Sequence, residues 1–254
     1  MFMAVQESAT RQGKGRDGGS QAATRTGEAH TVRFARPAMG LAVWMALGLP
    51  TSGWAQVVAD PNAGANRPTI GQTGNCLPQV DITRPSAAGV STNAYTQFDV
   101  PRAGVILNNS PTVTATQQAG YINGNPNLLP GGSARIIVNQ VTSTLPSQLR
   151  GYLEVAGPRS EVIVANPNGI LVEGAGFINT SRATLTTGVP AFGGSGSLDA
   201  FRVTGGQITV QGDGLNAARV DQVDLIARAV QANGALYADS SMSLRAPTRS
   251  AMTA

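Results

Sequence analysis

Catalysis needs titratable or nucleophilic side chains brought close together, and this 254-residue chain holds few useful ones. The neighbouring carboxylates are Asp221 with Asp224 and Glu154 with Glu161, while Asp213 stands alone. Paired carboxylates are what a polysaccharide lyase or hydrolase uses, one as acid and one as base or nucleophile. Each of these lies in or beside a segment that reads as a turn, where a solvated carboxylate is the ordinary outcome. His30 is the single histidine and Lys14 the single lysine, both inside an N-terminal segment that reads as a removable leader. Without that leader a Ser-His-Asp triad or a His-ligated metal is excluded. Cys76, the lone cysteine, permits no intramolecular disulfide and reads first as a small buried residue, with a free thiol or an intermolecular partner as alternatives. Gly193-Gly-Ser-Gly196 is followed by no lysine and reads as a flexible loop, not a phosphate cradle. The chain therefore reads as non-enzymatic and without a cofactor.

What the sequence offers instead is backbone chemistry. Asn125-Pro126-Asn127-Leu128 recurs forty-one residues on as Asn166-Pro167-Asn168-Gly169-Ile170. Proline sets φ at the first turn position, and Asn bonds its own backbone while tolerating a left-handed conformation. Gly169 supplies a positive φ, and Ile170 re-enters an apolar strand. Two such corners, each among short runs of β-branched residues, suggest a chain that winds. Asn108-Asn-Ser110 and Asn179-Thr-Ser181 fit a glycosylation sequon but read as turn chemistry too.

Charged residues make up 13% of the chain and aromatic ones 5%, with 31 glycines, a profile too apolar for disorder and too rich in Gly for a helical bundle. The net charge of +4 invites a nucleic-acid reading, yet residues 1–55 hold six basic side chains against three acidic ones. The remainder has twelve arginines against eleven carboxylates, so no basic face for nucleic acid survives. Arg33 and Arg36 precede an apolar run from Ala38 to Leu49, and Gly53-Trp54-Ala55 offers a small-x-small cleavage site. The run is shorter than the roughly 20 residues a spanning helix needs. Residues 1–55 thus read as an extended signal peptide cut between Ala55 and Gln56, for export.

Residues 56–78, rich in Ala, Asn, Gly and Pro, read as a flexible lead-in. From residue 79 short extended candidates follow one another: Tyr95–Val100, Gly104–Leu107, Thr112–Thr116, Ala134–Val141, Tyr152–Val155, Glu161–Ala165, Ile170–Val172, Phe177–Asn179, Ala183–Thr187, Phe201–Thr204 and Gln207–Gln211. Ile136-Ile-Val138 and Val162-Ile-Val164 are continuous apolar runs, as expected of strands covered on both faces. In Ala183–Thr187 one face is apolar and the other hydroxylated. Strong strand starts recur at about 20–25 residues, the range of stacked solenoid coils. Hairpin dipeptides are scarce, which favours a parallel β-helix over a sandwich. Against this, Val220, Val223, Ile226 or Ala227, and Val230 recur at helical spacing behind Asn216, and periodicity alone predicts a helix over 217–231.

The block Glu161–Ile170, followed by Gly176–Gly188, resembles the N-terminal two-partner secretion domain of the filamentous haemagglutinin family, the large TpsA-type exoproteins of bacteria. Phe98–Ser110 and Asn125–Leu128 upstream, and Val223–Val230 and Asn233–Ala238 downstream, match the same family in the same order. The resemblance implies an all-β fold, a right-handed parallel β-helix (solenoid) over residues 79–240 with an N-terminal cap and small extra-helical strands, and extended structure over 217–231. It implies a secretion module recognised in the Gram-negative periplasm by the POTRA modules of a TpsB-type outer-membrane β-barrel transporter, for release or display at the cell surface. The exported protein would be an adhesin; the alternatives are a haemolysin or contact-dependent growth-inhibition toxin, or a domain that itself binds glycans or a host-cell surface. The recognition-linked positions carried over are Asn125, Pro126, Asn127, Leu128, Asn166, Pro167, Asn168, Gly169 and Ile170. Two readings of them stand side by side, purely architectural corners or direct docking, the latter by strand addition at a nearby edge. Residues 241–254 depart from the family, show no clear strand pattern around Pro247, and read as an atypical, truncated tail.

Overall fold

The computed structural model describes residues 57–238 and 241–245, so the leader, the cleavage site at Ala55 and Gln56, and the tail beyond Arg245 lie outside the described residues. The chain begins with β1 (Val57–Ala59), a 3-10 turn at Gly64–Asn66 and β2 (Thr69–Gln72). A first coil follows with β3 (Pro78–Asp81) and β4 (Val90–Phe98), and a second with β5 (Val105–Asn108), the pair β6 (Thr114–Thr116) and β7 (Gly120–Ile122), β8 (Ile136–Val141) and β9 (Ser147–Leu149). The third coil is β10 (Tyr152–Ala156), β11 (Ser160–Ala165) and β12 (Ile170–Val172). The fourth is β13 (Ala175–Ile178), β14 (Thr180–Thr186), β15 (Gly188–Phe192), β16 (Leu198–Val203) and β17 (Gln207–Val210). The fifth is β18 (Leu215–Ala217), β19 (Gln222–Ile226) and β20 (Ala229–Ala232), and the sixth opens with β21 (Leu236–Ala238) and β22 (Ser241–Arg245).

These strands stack into three faces. Sheet 1 runs β1-β4-β8-β11-β14-β19-β22, sheet 2 runs β2-β3-β5-β10-β13-β18-β21, and sheet 3 runs β9-β12-β17-β20. Past the cap, every pairing within these sheets is parallel. The chain thus visits sheets 2, 1 and 3 in turn, and parallel crossovers of this kind wind right-handed. The coil length is set by register: Val223 pairs with Met242, 19 residues on, and Ile136 with Glu161, 25 residues on. The fold is a right-handed parallel β-helix.

The inward residues form one continuous core. Tyr95, Ile137, Val141, Val162, Val164, Leu185, Val223 and Leu225 from sheet 1 meet Val105, Leu107, Leu153, Phe177 and Leu215 from sheet 2, with Ile170, Val172, Ile208 and Val210 from sheet 3. The apolar runs are covered outside as well: Val138, Ile163 and Ala165 face Leu198 and Phe201 of the β15–β16 hairpin. The hydroxylated face of β14 is likewise buried, with Thr184 and Thr186 at most 1% exposed.

Three expectations need correction. The lead-in from residue 57 is ordered: β1 closes the upper edge of sheet 1 antiparallel to β4, and β2 pairs antiparallel with β3. A β-helix needs its top edge covered, because unpaired strand groups invite association. Residues 217–231 are extended, as the resemblance implies and against the helical periodicity, with β19 and β20 pairing with β14 and β17. Ser241–Arg245, read as patternless, pairs in parallel with β19. Cys76 is exposed at φ 65, in the turn before β3, not buried. Antiparallel hairpins also occur outside the coils, β6 with β7 and β15 with β16, and Gly193-Gly-Ser-Gly196 lies in the loop of the second.

Candidate functional site

The first Asn-Pro corner joins β7 to β8. The Leu128 N–H donates to the Asn125 carbonyl at 3.2 Å, closing a four-residue turn with Pro126 at its first central position. Asn125 is 1% exposed, and its side-chain amide is fully engaged. Its Nδ2 donates to the carbonyls of Ile82 at 2.9 Å and Asn108 at 2.8 Å, while Oδ1 accepts the Asn127 N–H at 2.8 Å. The Asn127 side chain reaches back to the Asp81 and Ile82 carbonyls at 3.1 and 3.3 Å. Leu128 enters the main core. Of the four residues only Pro126 is exposed, with Asn127 half-buried beside it.

The second corner joins β11 to β12 and uses the same device. The Gly169 N–H donates to the Asn166 carbonyl at 3.1 Å, and Asn166 Oδ1 accepts the Asn168 N–H at 3.0 Å. Asn166 Nδ2 donates to the Leu145 carbonyl at 2.9 Å and the Ser147 hydroxyl at 3.0 Å, one coil above. Gly169 has φ 121, a region open to glycine, and a Cβ there would lie 3.1 Å from the Gln207 carbonyl oxygen. Ile170 is buried, Pro167 half-buried and Asn168 exposed.

The two copies therefore sit at different corners, one between sheets 2 and 1 and the other between sheets 1 and 3. Their spacing of forty-one residues is not a coil repeat. What they share is an Asx turn whose amide staples the coil above. Asn109 and Asn179 do similar work between sheets 2 and 1: Asn109 Nδ2 donates to the Ala134 carbonyl at 2.9 Å, and Asn179, at φ 56, donates to the Val155 and Gly157 carbonyls at 2.8 Å. Beside the first corner, Pro126 and Asn127 line a concavity of about 350 Å³ with Arg67, Thr83 and Arg84. Nothing local in the sequence marks those three, since only the folded cap brings them there.

Most of the carboxylates flagged for catalysis are tied into the frame, and three of them, Asp224, Glu154 and Glu161, lie in strands and not in turns. Asp224 lies in β19, 1% exposed, with Arg182 Nε 2.7 Å from its Oδ2. Glu154 lies in β10, 2% exposed, and receives the backbone N–H groups of Gln117 and Gln118 in the β6–β7 turn. Asp221 pairs with Arg159 at 2.9 Å, and Asp213 with Arg102 at 3.7 Å. Glu161, 3.9 Å from Arg182, has its carboxyl pushed above the ordinary value by burial, against the pull of Arg182 and with the help of Asp224. Burial likewise drives the Tyr95 hydroxyl well up, where it donates to Asn139 Oδ1 at 2.9 Å. The hydroxyl of Thr142 holds Asp60 below its usual value. Among the described residues no group of three or more His, Cys, Asp or Glu is placed to hold a metal ion.

The same geometry recurs in known proteins. The family model described as TPS secretion domain matches residues 55–248. The chain is 54% identical over 206 residues to the tRNA nuclease CdiA-2 of Burkholderia pseudomallei (strain 1026b), covering 81% of this chain and 6% of that protein. It is 47% identical over 219 residues to the toxin CdiA of Yersinia pestis, covering 84% of this chain and 7% of that protein. The chain thus spans only 6–7% of the length of these curated relatives. The crystal structure of a filamentous hemagglutinin secretion domain superposes with a TM-score of 0.65 at 36% identity, covering 75% of this chain and 63% of the other. With its three-sheet coils, capped upper edge and stapled corners, the chain belongs to the family of TPS secretion domains, and its role is that of a secretion module.

Proposed function

We propose that the chain directs export of a larger exoprotein by presenting its two Asn-Pro corners to the periplasmic POTRA modules of an outer-membrane TpsB-type transporter. The observation that carries this reading is the division of labour within each corner. The amides of Asn125 and Asn166 are buried and used up in stapling coils, which holds Pro126-Asn127 and Pro167-Asn168 toward solvent on a fixed frame. A partner would read the solvent-facing pair, and the buried asparagines would act through it. The leader, cut after Ala55 to leave Gln56 first, delivers the chain to the periplasm of a Gram-negative cell. The product is released or displayed at the surface.

Relatives named as toxins favour a toxin-type exoprotein over an adhesin as the exported cargo, and the nuclease activity in their names belongs to proteins whose length lies overwhelmingly beyond the matched region. We read the present chain as non-catalytic, because Asp213, Asp221, Asp224 and Glu154 each hold a structural partner. The test is co-expression with the cognate transporter and assay of the medium. Pro126→Ala with Asn127→Ala, and Pro167→Ala with Asn168→Ala, should leave folded protein in the periplasm. Undiminished export of both double variants would refute docking at the corners.

A further inference from the structure

Most of the outer surface of sheets 1 and 2 near the top of the helix is roofed. The β15–β16 hairpin covers sheet 1 with Leu198 and Phe201, and the β6–β7 hairpin lays Ile122 over Ile106 and Ala156 on sheet 2. Farther down sheet 2, one outward row crosses four strands in register: Tyr152, Gly176, Asn216 and Tyr237. The Tyr152 ring lies down across the sheet, filling the space that a Cβ on Gly176 would need. Two strands away, Asn216 Nδ2 donates to the Tyr152 hydroxyl at 3.1 Å and fixes the ring. One side of the ring rests on the strand and the other is open, leaving Tyr152 36% and Tyr237 57% exposed. Of the four tyrosines in the chain, this row holds two.

A groove of about 240 Å³ runs beside the row, rimmed by Arg102, Arg150 and Asp213. Its charges cancel locally, since Arg150 lies 3.1 Å from Glu173 and Arg102 lies 3.7 Å from Asp213. Unpaired cations for a phosphate backbone or an anionic lipid are therefore lacking. Gly151, Gly174 and Ala175 also line the groove, small residues that leave room beside the two tyrosine rings. What remains is an immobilised aromatic face flanked by planar amide, guanidinium and carboxylate groups. That set matches a sugar ring, whose C–H face stacks on an aromatic while its hydroxyls bond the planar groups. The row spans three strand spacings, roughly 14 Å, room for more than one sugar ring.

We propose that the Tyr152–Gly176–Asn216–Tyr237 row binds an uncharged oligosaccharide lying across the strands of sheet 2. The site is separate from both Asn-Pro corners and does not depend on their role in export. The test uses the chain recovered from the periplasm, titrated with cellohexaose, maltohexaose and chitohexaose and followed by calorimetry and amide NMR shifts. At least one hexasaccharide should saturate, with shifts centred on residues 152, 176, 216 and 237. Tyr152→Ala should weaken that binding roughly tenfold, while Asn216→Ala, which unties the ring without removing it, should weaken it about threefold. Tyr121→Ala, on the β6–β7 hairpin, should leave it unchanged. If Tyr152→Ala fails to give a native circular-dichroism spectrum, Tyr237→Ala takes its place with an expected loss of about threefold. Absence of saturable shifts up to about 20 mM of every neutral hexasaccharide would overturn the proposal. So would binding indifferent to both tyrosines, or a heparin hexasaccharide or a peptide occupying the row in preference.

Discussion

Replacing Asn125 separates the frame from the docking surface. Asn125→Ala removes two hydrogen bonds donated to the Ile82 and Asn108 carbonyls and one accepted from Asn127 N–H, all at 2.8–2.9 Å. At about 1 kcal/mol each the loss is about 3 kcal/mol, rising toward 5 because the site is buried and the orphaned groups meet no water. Ile82 keeps a second donor in Asn127 Nδ2, so the lower figure is the better guide. Asn125→Asp is a sharper probe. It keeps the acceptor for Asn127 but turns a carboxylate oxygen toward two carbonyls in a buried place, which raises its folded-state pKa above the unfolded value near 3.9. A raised carboxyl pKa contributes stability below the unfolded pKa and loses it as pH rises through the folded one, so this variant should be weakest at neutral pH and recover toward pH 4. Pro126→Ala, by contrast, changes an exposed residue and mainly loosens the unfolded chain, at a cost of up to about 1 kcal/mol. Urea unfolding of the periplasmic protein measures all three, and secretion into the medium is scored alongside. Export by Asn125→Ala should fall with its folded fraction, and export by Pro126→Ala should fall at full folding. An Asn125→Ala loss below about 1 kcal/mol, or pH-independent behaviour of Asn125→Asp, would show that the amide is not the staple described.

Four further outcomes follow from the same geometry. Gly169→Ala forces a side chain into φ 121 with its Cβ 3.1 Å from the Gln207 oxygen, and should lower stability by about 2 kcal/mol in chemical denaturation. Glu154→Gln should leave the coils intact but loosen the β6–β7 hairpin, seen as roughly tenfold faster amide exchange over residues 114–122, because the charged acceptor for Gln117 and Gln118 is gone. Glu161→Gln removes a carboxyl whose folded pKa is raised by burial, so its melting temperature should exceed that of the parent at neutral pH, and the gap should close below pH 4.5 where both states are protonated. Sequencing the N-terminus of the periplasmic protein should begin at Gln56, and an intact leader would refute the cleavage site.

The strands legible in the sequence were those whose apolar pattern survives in isolation. Ile170–Val172 is β12 to the residue, and Ile136-Ile-Val138 and Val162-Ile-Val164 announced two-sided burial that the β15–β16 hairpin supplies. The helical periodicity over 217–231 was misleading for a geometric reason. Inward residues of this coil fall at Leu215, Ala217, Val220, Val223, Leu225 and Ala227, because the alternation of two is reset by an extra residue at each bend. Steps of two and three mixed together imitate the three-and-four rhythm of a helix. Likewise, Asp224 and Glu154 looked solvated because they border apparent turns, whereas both are outward strand positions sealed by a partner, an arginine in one case and a hairpin turn in the other.

The lead-in and the last strand were missed for a different reason, and it bears on how the corners work. Val57–Ala59 and Ser241–Arg245 carry little strand signal of their own, yet each pairs along an existing edge, β1 on β4 and β22 on β19. In a solenoid the neighbour supplies most of the stability, so a weak sequence becomes a strand where a template waits and composition alone under-reads it. The asparagine staples are what keep those templates in register. Asn125 ties its corner to Ile82 on the coil above and to Asn108 within its own coil, and Asn166 ties its corner to Leu145 and Ser147 on the coil above. Their sequence signature is visible because an Asx turn needs particular residues in a row; their partners are not, because a backbone carbonyl can belong to any residue. The motif could thus be found by reading, while the surface it holds in place, with Arg67, Thr83 and Arg84 drawn in from the cap, required the fold.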